Sequence, residues 1–443
     1  MISTDDLLSP YEQRLENVAP FRISGSVTEV RGLLIASRGP WLPVGGVCHI
    51  YPEPNARPVL AEVVGFRREE TLLMPLAELR GVGPGSKVVV LSKEARYPVG
   101  EGLLGRVIDG LGKPLDGKGL IAADSYPIYS AASNPLHRQE ICEPLDVGIR
   151  AINGMITCGK GQRVALMAGA GVGKSTLLSM IARNTRVDVK VIVLIGERGR
   201  EVEEFVARAL PPEERQRIVV VAATSEAPAL VRVRGAFIAT TIAEYFCDRG
   251  QDVLLLMDSL SRFAMAQREV GLAAGEPPST KGYTPSVFAL LPRLLERAGS
   301  WKGKGSITGL YTVLMEGDDP HEPVADAVRS LTDGHIHLSR RLAEQGHFPA
   351  IDVLASVSRV RTRVTASEQQ GFVNEMRRIL AAYRDAEDLV QIGAYAKGAD
   401  HDVDRAIDLM PKIRGYLRQL GNEDTNLHAS ARALGEILNP AEV

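Results

Sequence analysis

A short glycine-rich stretch constrains this 443-residue chain more than any other feature. The apolar run 163–167 leads into this stretch, and the helix-forming run 177–182 follows it. Between them stands the loop Ala168-Gly169-Ala170-Gly171-Val172-Gly173-Lys174-Ser175-Thr176. Glycines let successive backbone N–H groups face one anion, and the start of a helix adds its positive end. This order predicts a phosphate-binding loop in which Lys174 contacts the outer phosphates and Ser175 offers a hydroxyl to Mg²⁺.

The loop departs from the usual pattern G-x-x-x-x-G-K-[ST] at its first position, where Ala168 stands. The alternative interpretation is a glycine-rich turn that binds nothing. An apolar strand before the loop and a helix after it disfavour that alternative. The sequence therefore predicts a protein that binds a nucleoside triphosphate.

Composition limits the classes of protein that this chain can belong to. The 52 basic residues nearly balance the 54 acidic ones, which disfavours a dedicated nucleic-acid binder. No apolar run reaches the roughly 18 residues that a membrane span needs, and the acidic start Met1–Asp6 is unlike a secretory signal. The cysteines at 48, 142, 158 and 247 form no C-x-x-C pair. We therefore expect a cytoplasmic protein with free thiols.

The sequence predicts four segments, and the first two of them lie within residues 1–92. Residues 1–20 contain an amphipathic helical pattern at 11–18, too short to be stable unless a partner holds it. Residues 21–92 carry short β-rich runs between Gly and Pro turns, which predicts a small β-barrel domain. An oligonucleotide-binding barrel is the alternative, but its aromatic residues would be clustered, and here they are scattered.

The rest of the chain changes from strands and helices to helices alone. Continuous apolar strands at 163–168, 190–195, 217–222 and 252–257 alternate with helical stretches. This pattern indicates a parallel sheet covered on both faces, within an α/β nucleotide-binding domain over residues 93–364. Residues 365–443 predict a helical domain, with Thr365 and Glu368 as a capping box at its start.

Two acidic residues follow predicted strands of this sheet. Asp258 ends the strand 253–257, and a carboxylate beside a phosphate loop suits Mg²⁺ held through water, although it also suits capping of the next helix. Glu197 follows the strand 190–195 and could orient the water that attacks the γ-phosphorus. A merely solvated charged loop is the alternative for Glu197.

His335 and His337 stand two residues apart, so on a strand they would share a face. As a metal site the pair lacks a third ligand within the same pattern. We therefore expect ordinary packing or hydrogen bonding there.

Together these motifs resemble the rotary ATPase α/β superfamily. Residues 349–358 match its signature P-A-x-D-x-x-x-S-x-S without a gap. Residues 275–288 and 291–299 are similar to the ATPases of type III protein export, and the resemblance covers the chain from about residue 20. Residues 61–66 and 73–76 look more flagellar than injectisome-like. The resemblance implies an N-terminal β-barrel, a central RecA-like domain and a C-terminal helical domain.

The resemblance also implies ATP and Mg²⁺ as ligands, with roles for particular residues. Lys174 would hold the β- and γ-phosphates, and Ser175 would bind the metal directly. Glu197 would position the attacking water, supported by Arg198 and Glu201. Asp258 and Glu201 would bind the metal through water, and Arg262 would lie beside Asp258 in the pocket. Arg359 would be an arginine finger. Phe348 and Tyr395 would form two walls around the adenine.

One chain carries both Glu197 and Arg359, which rotary enzymes divide between two kinds of subunit. A single kind of chain can therefore supply both halves of every site, which indicates a closed homo-oligomeric ring, by resemblance a hexamer. The favoured function is an ATP-hydrolysing motor of flagellar protein export. The alternatives are an injectisome ATPase, a rotary ATPase subunit, a hexameric RNA translocase and a nucleotide-binding scaffold without turnover.

The same resemblance implies partners. These are a stator-like regulator at residues 1–20, export-gate membrane proteins, export substrates with their chaperones, and a coiled-coil stalk protein in the centre of the ring. No nucleic acid is expected, and the site of action would be the cytoplasmic side of the inner-membrane export apparatus. The Pro- and Gly-rich residues 275–283 predict a loop, which by resemblance would face the stalk.

Overall fold

A computed structural model describes residues 23–53, 56–119, 124–130, 134–209, 214–315, 317, 319 and 322–439. The predicted partner-binding segment 1–20 lies outside this range. The chain packs as two compact units. One holds the described residues up to Ala95 together with Ala273–Gly275, and the other holds Arg96–Leu272 and the residues from Glu276 onward. No helix in the described part of the chain is long and apolar enough to cross a membrane.

The first unit is a closed barrel of six strands, as the sequence predicts. Neighbours around the barrel follow the order β1-β2-β5-β4-β3-β6, and every pair is antiparallel. The strands are β1 Ser24–Arg31, β2 Leu34–Arg38, β3 Val47–Tyr51, β4 Val59–Arg67, β5 Glu70–Pro75 and β6 Lys87–Ser92. The sequence prediction omitted β2 and β5, whose buried runs lack the alternation of a strand with one solvated face.

The second unit is built on a nine-stranded sheet whose main path runs β19-β18-β12-β17-β15-β13-β14-β8, while β16 pairs with β17. Along this path only β19 is antiparallel to its neighbour. The sheet strands are β8 Val107–Asp109, β12 Arg163–Ala168, β13 Val189–Ile195, β14 Ile218–Ala223, β15 Asp252–Asp258, β16 Gly299–Ser300, β17 Ser306–Leu314, β18 Gly334–Leu338 and β19 Ile351–Ser358. Two small ribbons add β7 Arg96–Val99 with β9 Asp124–Pro127, and β10 Pro144–Leu145 with β11 Cys158–Gly159.

Helices cover the sheet because its strands are apolar on both faces, which confirms the predicted α/β architecture. The helices of this region are α1 Arg150–Met155, α2 Lys174–Asn184, α3 Gly199–Ala209, α4 Ala229–Cys247, α5 Leu260–Ala274, α6 Pro285–Leu295, α7 Pro323–Leu331, α8 Arg340–Glu344 and α9 Arg361–Val364. The central strand β17 escaped the sequence analysis because Ser, Gly and Thr interrupt its apolar run.

In the described residues, helices alone follow β19, as predicted: after the short α9 come α10 Ser367–Gln391, α11 His401–Leu417 and α12 Leu427–Leu438. They share a hydrophobic core with the sheet, to which Val373, Met376 and Ile413 contribute. The predicted capping box is wrong, because α10 begins after Ala366 and receives no side-chain cap. The Thr365 hydroxyl instead donates to the Arg361 carbonyl at 2.7 Å, at the end of α9.

Candidate active site

The carboxyl ends of β12, β15 and β13 lie at one edge of the sheet, because these strands are parallel and only β17 separates the first two. The phosphate loop follows β12, Asp258 ends β15, and Glu197 comes two residues after β13. The register places Leu194 opposite Asp258. Segments far apart in the chain therefore deliver their polar side chains to a single place.

The phosphate loop needs its glycines for conformation and for space. Gly171 and Gly173 have φ values of +76° and +85°, in the left-handed region that favours glycine. A Cβ at Gly173 would also come within 3.2 Å of the Phe348 ring. Ala168, by contrast, is the buried last residue of β12. The first loop position therefore lies in a strand, which explains how alanine serves there.

Lys174 is the first residue of α2 and lies between two carboxylates. Its ammonium donates to Asp258 Oδ1 at 2.5 Å and lies 3.9 Å from Glu197 Oε1. Asp258 Oδ1 also accepts a hydrogen bond from the hydroxyl of Thr312 at 2.7 Å. Thr312 is fully buried on β17, so this contact fixes the Asp258 carboxylate from the sheet side.

Glu197 is the strongly perturbed acid of this edge. Burial raises the pKa of its carboxyl to about 7, and the negative charge of Asp258 adds to the effect while Lys174 opposes it. Its Oε1 is buried and has no hydrogen-bond partner within the described part of the chain. A carboxylate with such a pKa can accept a proton from water near neutral pH.

Glu201 interacts with Glu197 and with Arg198. Its hydrogen bond with the Glu197 carboxyl holds the pKa of Glu201 below its ordinary value. The Arg198 guanidinium donates to Glu201 Oε1 at 3.1 Å while remaining 67% exposed. Arg262 packs against Gly196, where a Cβ would meet its side chain at 3.0 Å, and no described residue accepts a hydrogen bond from its buried Nε.

A cleft of about 380 Å³ opens at this edge. It brings together four of the predicted metal and catalytic residues: Ser175, Glu197, Glu201 and Asp258. The sequence analysis missed Arg183, which lines the cleft and donates to the Gly421 carbonyl. A signal was present, because Ser175, Ser179 and Arg183 recur at the four-residue spacing of one helix face.

The two predicted adenine walls lie in different surroundings. Phe348 is 45% exposed beside Gly173, and its carbonyl accepts a hydrogen bond from the Gln419 N–H at 3.0 Å. Tyr395 lies in the connection between α10 and α11, where its hydroxyl contacts Asp404 Oδ1 at 3.0 Å. The structure brings Phe348 to the phosphate loop and does not show Tyr395 there.

Arg359 lies at the opposite edge of the sheet. Its backbone N–H donates to the Asp333 carbonyl at 2.9 Å, and Asp333 in turn donates to the Arg163 carbonyl at the start of β12. Leu338, which is level with Ala168, is five residue steps along the chain from Asp333. At a rise of about 3.3 Å per residue this is roughly 17 Å. Arg359, whose side chain is exposed, therefore lies at the edge across the sheet from its own phosphate loop.

The sequence predicts packing or hydrogen bonding for the histidine pair, and His335 is within hydrogen-bond distance of a backbone group, with its Nε2 3.1 Å from the Ala355 carbonyl. Within the described ranges no group of three or more His, Cys, Asp or Glu could hold a metal by itself. Mg²⁺ does not need such a group, because it commonly uses one or two protein oxygens together with substrate phosphates. Ser175, Asp258 and Glu201 in the cleft fit that requirement.

Comparisons with known proteins place this fold and site in a class. Residues 148–358 match the family model of the ATP synthase alpha/beta family, nucleotide-binding domain. Residues 365–436 match the T3SS EscN ATPase C-terminal domain. The class is therefore that of the ATP synthase α/β nucleotide-binding proteins.

Individual relatives narrow the class. The chain is 48% identical to the flagellum-specific ATP synthase of Bacillus subtilis, covering 97% of this chain and 98% of that protein. It is also 48% identical to the type 3 secretion system ATPase of Xanthomonas euvesicatoria, with 95% of each covered. The solved structure of assembled EscN with its central stalk EscO from enteropathogenic E. coli matches with a TM-score of 0.86 and 42% identity, over 94% of this chain and all of that one.

The chain belongs to the ATPases of flagellar and type III protein export, within the ATP synthase α/β family. The resemblance inferred from the sequence, the three-part fold and the ATPase function are thereby confirmed.

Proposed function

We propose that this chain hydrolyses Mg-ATP to energise the flagellar branch of type III protein export. The observation that carries the proposal is the position of Lys174, which lies beside Asp258 and Glu197 at the start of α2. A cation at the end of a phosphate loop, next to two carboxylates, is the arrangement that a Mg-nucleotide requires.

Each group of the cleft then has a role in hydrolysis. The backbone N–H groups of 169–175 hold the phosphates, and Lys174 contacts the β- and γ-phosphates. The Ser175 hydroxyl would hold Mg²⁺, with Asp258 and Glu201 acting through water. The metal supplies positive charge that offsets the charge of the phosphates.

Glu197 is the proposed base. It accepts a proton from the water that attacks the γ-phosphorus, and the bond to the ADP oxygen breaks to give ADP and phosphate. Arg198 acts indirectly: it forms an ion pair with Glu201, and Glu201 in turn forms a hydrogen bond with Glu197. Phe348, half-exposed beside Gly173, is the proposed stacking partner of the adenine. Tyr395 would form a second wall only if the α10–α11 connection, in which it lies, moves toward the adenine.

Arg359 is proposed to serve the site of a neighbouring chain. Its place across the sheet from its own phosphate loop supports this, since an arginine side chain cannot span roughly 17 Å. EscN is described as an assembled ATPase with a central stalk. We extend this to a homohexameric ring here, with a stalk protein in its centre.

The loop 275–283 is the proposed stalk contact. It is a loop, as predicted, with a single turn at Thr280–Gly282 and an exposed stretch from Pro277 to Lys281. A cysteine placed at Ser279 should crosslink to a coiled-coil stalk protein. Capture of only a regulator bound elsewhere on the ring would contradict the assignment.

The flagellar relative from Bacillus subtilis and the type 3 secretion relative from Xanthomonas euvesicatoria are each 48% identical to this chain, so the preference for the flagellar branch rests on residues 61–66 and 73–76. Deletion of the gene should abolish motility and export of flagellar subunits. Loss of effector secretion with intact motility would favour the injectisome alternative. The regulator at residues 1–20, the export-gate proteins, the substrates with their chaperones and the peripheral membrane location remain proposals of the same kind.

ATP turnover by the purified full chain tests the proposed chemistry. We expect Mg²⁺-dependent release of phosphate that EDTA abolishes and that a Lys174→Ala variant lacks. An exposed lysine on the same unit, Lys412, supplies the matched control, since Lys412→Ala should turn over ATP like the unmodified chain. Equal turnover by Lys174→Ala would contradict the proposed site.

A further inference from the structure

A second cavity, of about 170 Å³, lies between β19, α8 and the helices α10 and α11. None of the residues that line it also lines the phosphate cleft. Most of its wall is apolar and comes from Leu342, Ile351, Val353, Leu380, Ile413 and Leu417. Cavities of about 150 Å³ with such walls hold a benzene ring. This cavity therefore suits the apolar body of a small molecule.

One polar group in the wall of the cavity has no partner. His347 is 4% exposed, and its buried Nε2 has no hydrogen bond to any residue that the structure describes. Burial together with the positive charges of Arg418 and Arg414 lowers the pKa of His347 to about 4. The imidazole is thus neutral at physiological pH and can donate from Nε2 to an oxygen atom. Because buried polar atoms are normally satisfied, this nitrogen is a suitable hydrogen-bond donor for an oxygen atom of a bound molecule.

The charged side chains at the rim leave one cation in excess. Glu387 pairs with Arg341, and Asp352 pairs with Arg384 at 3.5 Å. Among the described residues, the hydroxyl of Tyr383 accepts the one side-chain hydrogen bond of Arg414, at 3.5 Å, and the guanidinium lies over the Tyr383 ring at 5.5 Å. No carboxylate among the described residues forms an ion pair with Arg414. The cavity therefore has a positive end beside apolar walls.

We propose that this cavity binds a small amphipathic anion, with its apolar body among the leucines and isoleucines and its anionic group between Arg414 and His347. The anionic oxygens would accept hydrogen bonds from the Arg414 guanidinium and from His347 Nε2. Charge-assisted hydrogen bonds of this kind are stronger than neutral ones, so the site should prefer an acid to its uncharged analogue.

A matched pair of probes tests the proposal on the full chain. 4-Phenylbutyrate carries a phenyl ring and a carboxylate, and 4-phenylbutanamide has nearly the same shape without the charge. Binding of each is measured by titration calorimetry or ligand-observed NMR in saturating Mg-ADP, so that the phosphate cleft is occupied. We expect the acid to bind at least about tenfold more tightly than the amide.

Two substitutions identify the place of binding. Arg414→Met keeps most of the side-chain volume and removes the charge, and it should abolish the preference for the acid. Lys412→Met is its control, because Lys412 is exposed on the same helix and does not line the cavity. His347→Phe keeps a ring and removes the nitrogen, and it should weaken binding of the acid severalfold.

Melting curves and ADP binding establish that each variant folds. If Arg414→Met does not fold, His347→Phe carries the test alone. Equal affinity for acid and amide, displacement of the acid by Mg-ADP, or unchanged affinity for the acid in the folded variants would overturn the proposal.

Discussion

Lys174 and Arg359 lie at opposite edges of the same sheet and in opposite surroundings. The Lys174 side chain is 13% exposed and is held by two carboxylates of its own chain. Arg359 is exposed, and no ion pair of its side chain is found in the part of the chain that the structure describes. A buried cation needs paired charges, whereas a cation that serves another molecule must stay accessible. With the proposed roles, one chain would be complete for binding phosphate, and Arg359 would complete the hydrolytic site of another chain.

The largest effect is expected when Arg359, the accessible cation of the two, is replaced. Arg359→Ala should slow turnover by about 10³–10⁵-fold, because a trans arginine stabilises charge on the departing phosphate. ATP binding should be unchanged, since every cleft residue remains. Steady-state turnover and nucleotide binding are measured on assembled rings. Arg363→Ala, at a nearby exposed arginine that pairs with Glu140, should leave the rate within about twofold of the unmodified chain.

Mixing two inactive variants sharpens the same comparison. An Arg359→Ala chain offers a complete phosphate cleft, and a Lys174→Ala chain offers an intact finger. Rings that contain both should therefore regain part of the activity. Rings shown by sizing to be mixed, yet without any recovery, would mean that Arg359 does not act in trans.

Within the cleft, Glu197→Gln should reduce turnover by about 10²–10⁴-fold while ATP stays bound, because the water loses its base and the phosphate cradle survives. Binding and turnover are measured side by side. Glu203→Gln, on the exposed side of α3, is the control and should change neither. Turnover of Glu197→Gln within a factor of two would remove Glu197 from the mechanism.

Thr312→Val should weaken the apparent Mg²⁺ affinity of ATP hydrolysis by about 10–100-fold, since groups that orient a metal-binding carboxylate have effects of that size. The substitution removes the hydrogen bond to Asp258 at little change of volume. Thr308→Val is the matched control: it lies on the same strand, and its hydroxyl accepts from the Gly161 N–H instead. A Mg²⁺ titration that gives both variants the same affinity would contradict the role of Thr312.

The smallest effect is the dependence of the rate on pH. Burial raises the pKa of Glu197 to about 7, so its base form is lost as the pH falls below that value. kcat/KM should therefore fall about tenfold per pH unit below 7 and level off above it. A profile that is flat between pH 5.5 and 8.5 would show that Glu197 does not limit the reaction through its protonation.

Features with a local cause could be predicted from the sequence. The phosphate loop is one, because glycines, Lys174 and Ser175 act within a few residues of one another. The four continuous apolar strands are another, because burial on both faces leaves a direct mark on composition. The positions of Asp258 and Glu197 could be predicted as well, since each lies at or just after the end of such a strand.

Long-range pairing decided the rest. β17 lies between β12 and β15 in the sheet, and only that order brings Thr312 to Asp258. The same kind of contact places Gly421 beside α2 and Arg359 across the sheet from the loop. Thr365 shows the limit of local reasoning. Its spacing from Glu368 predicts a helix cap, but in the structure its hydroxyl donates a hydrogen bond to the Arg361 carbonyl. Sequence spacing determined which groups are available, and the packing of strands distant in the chain decided which of them meet.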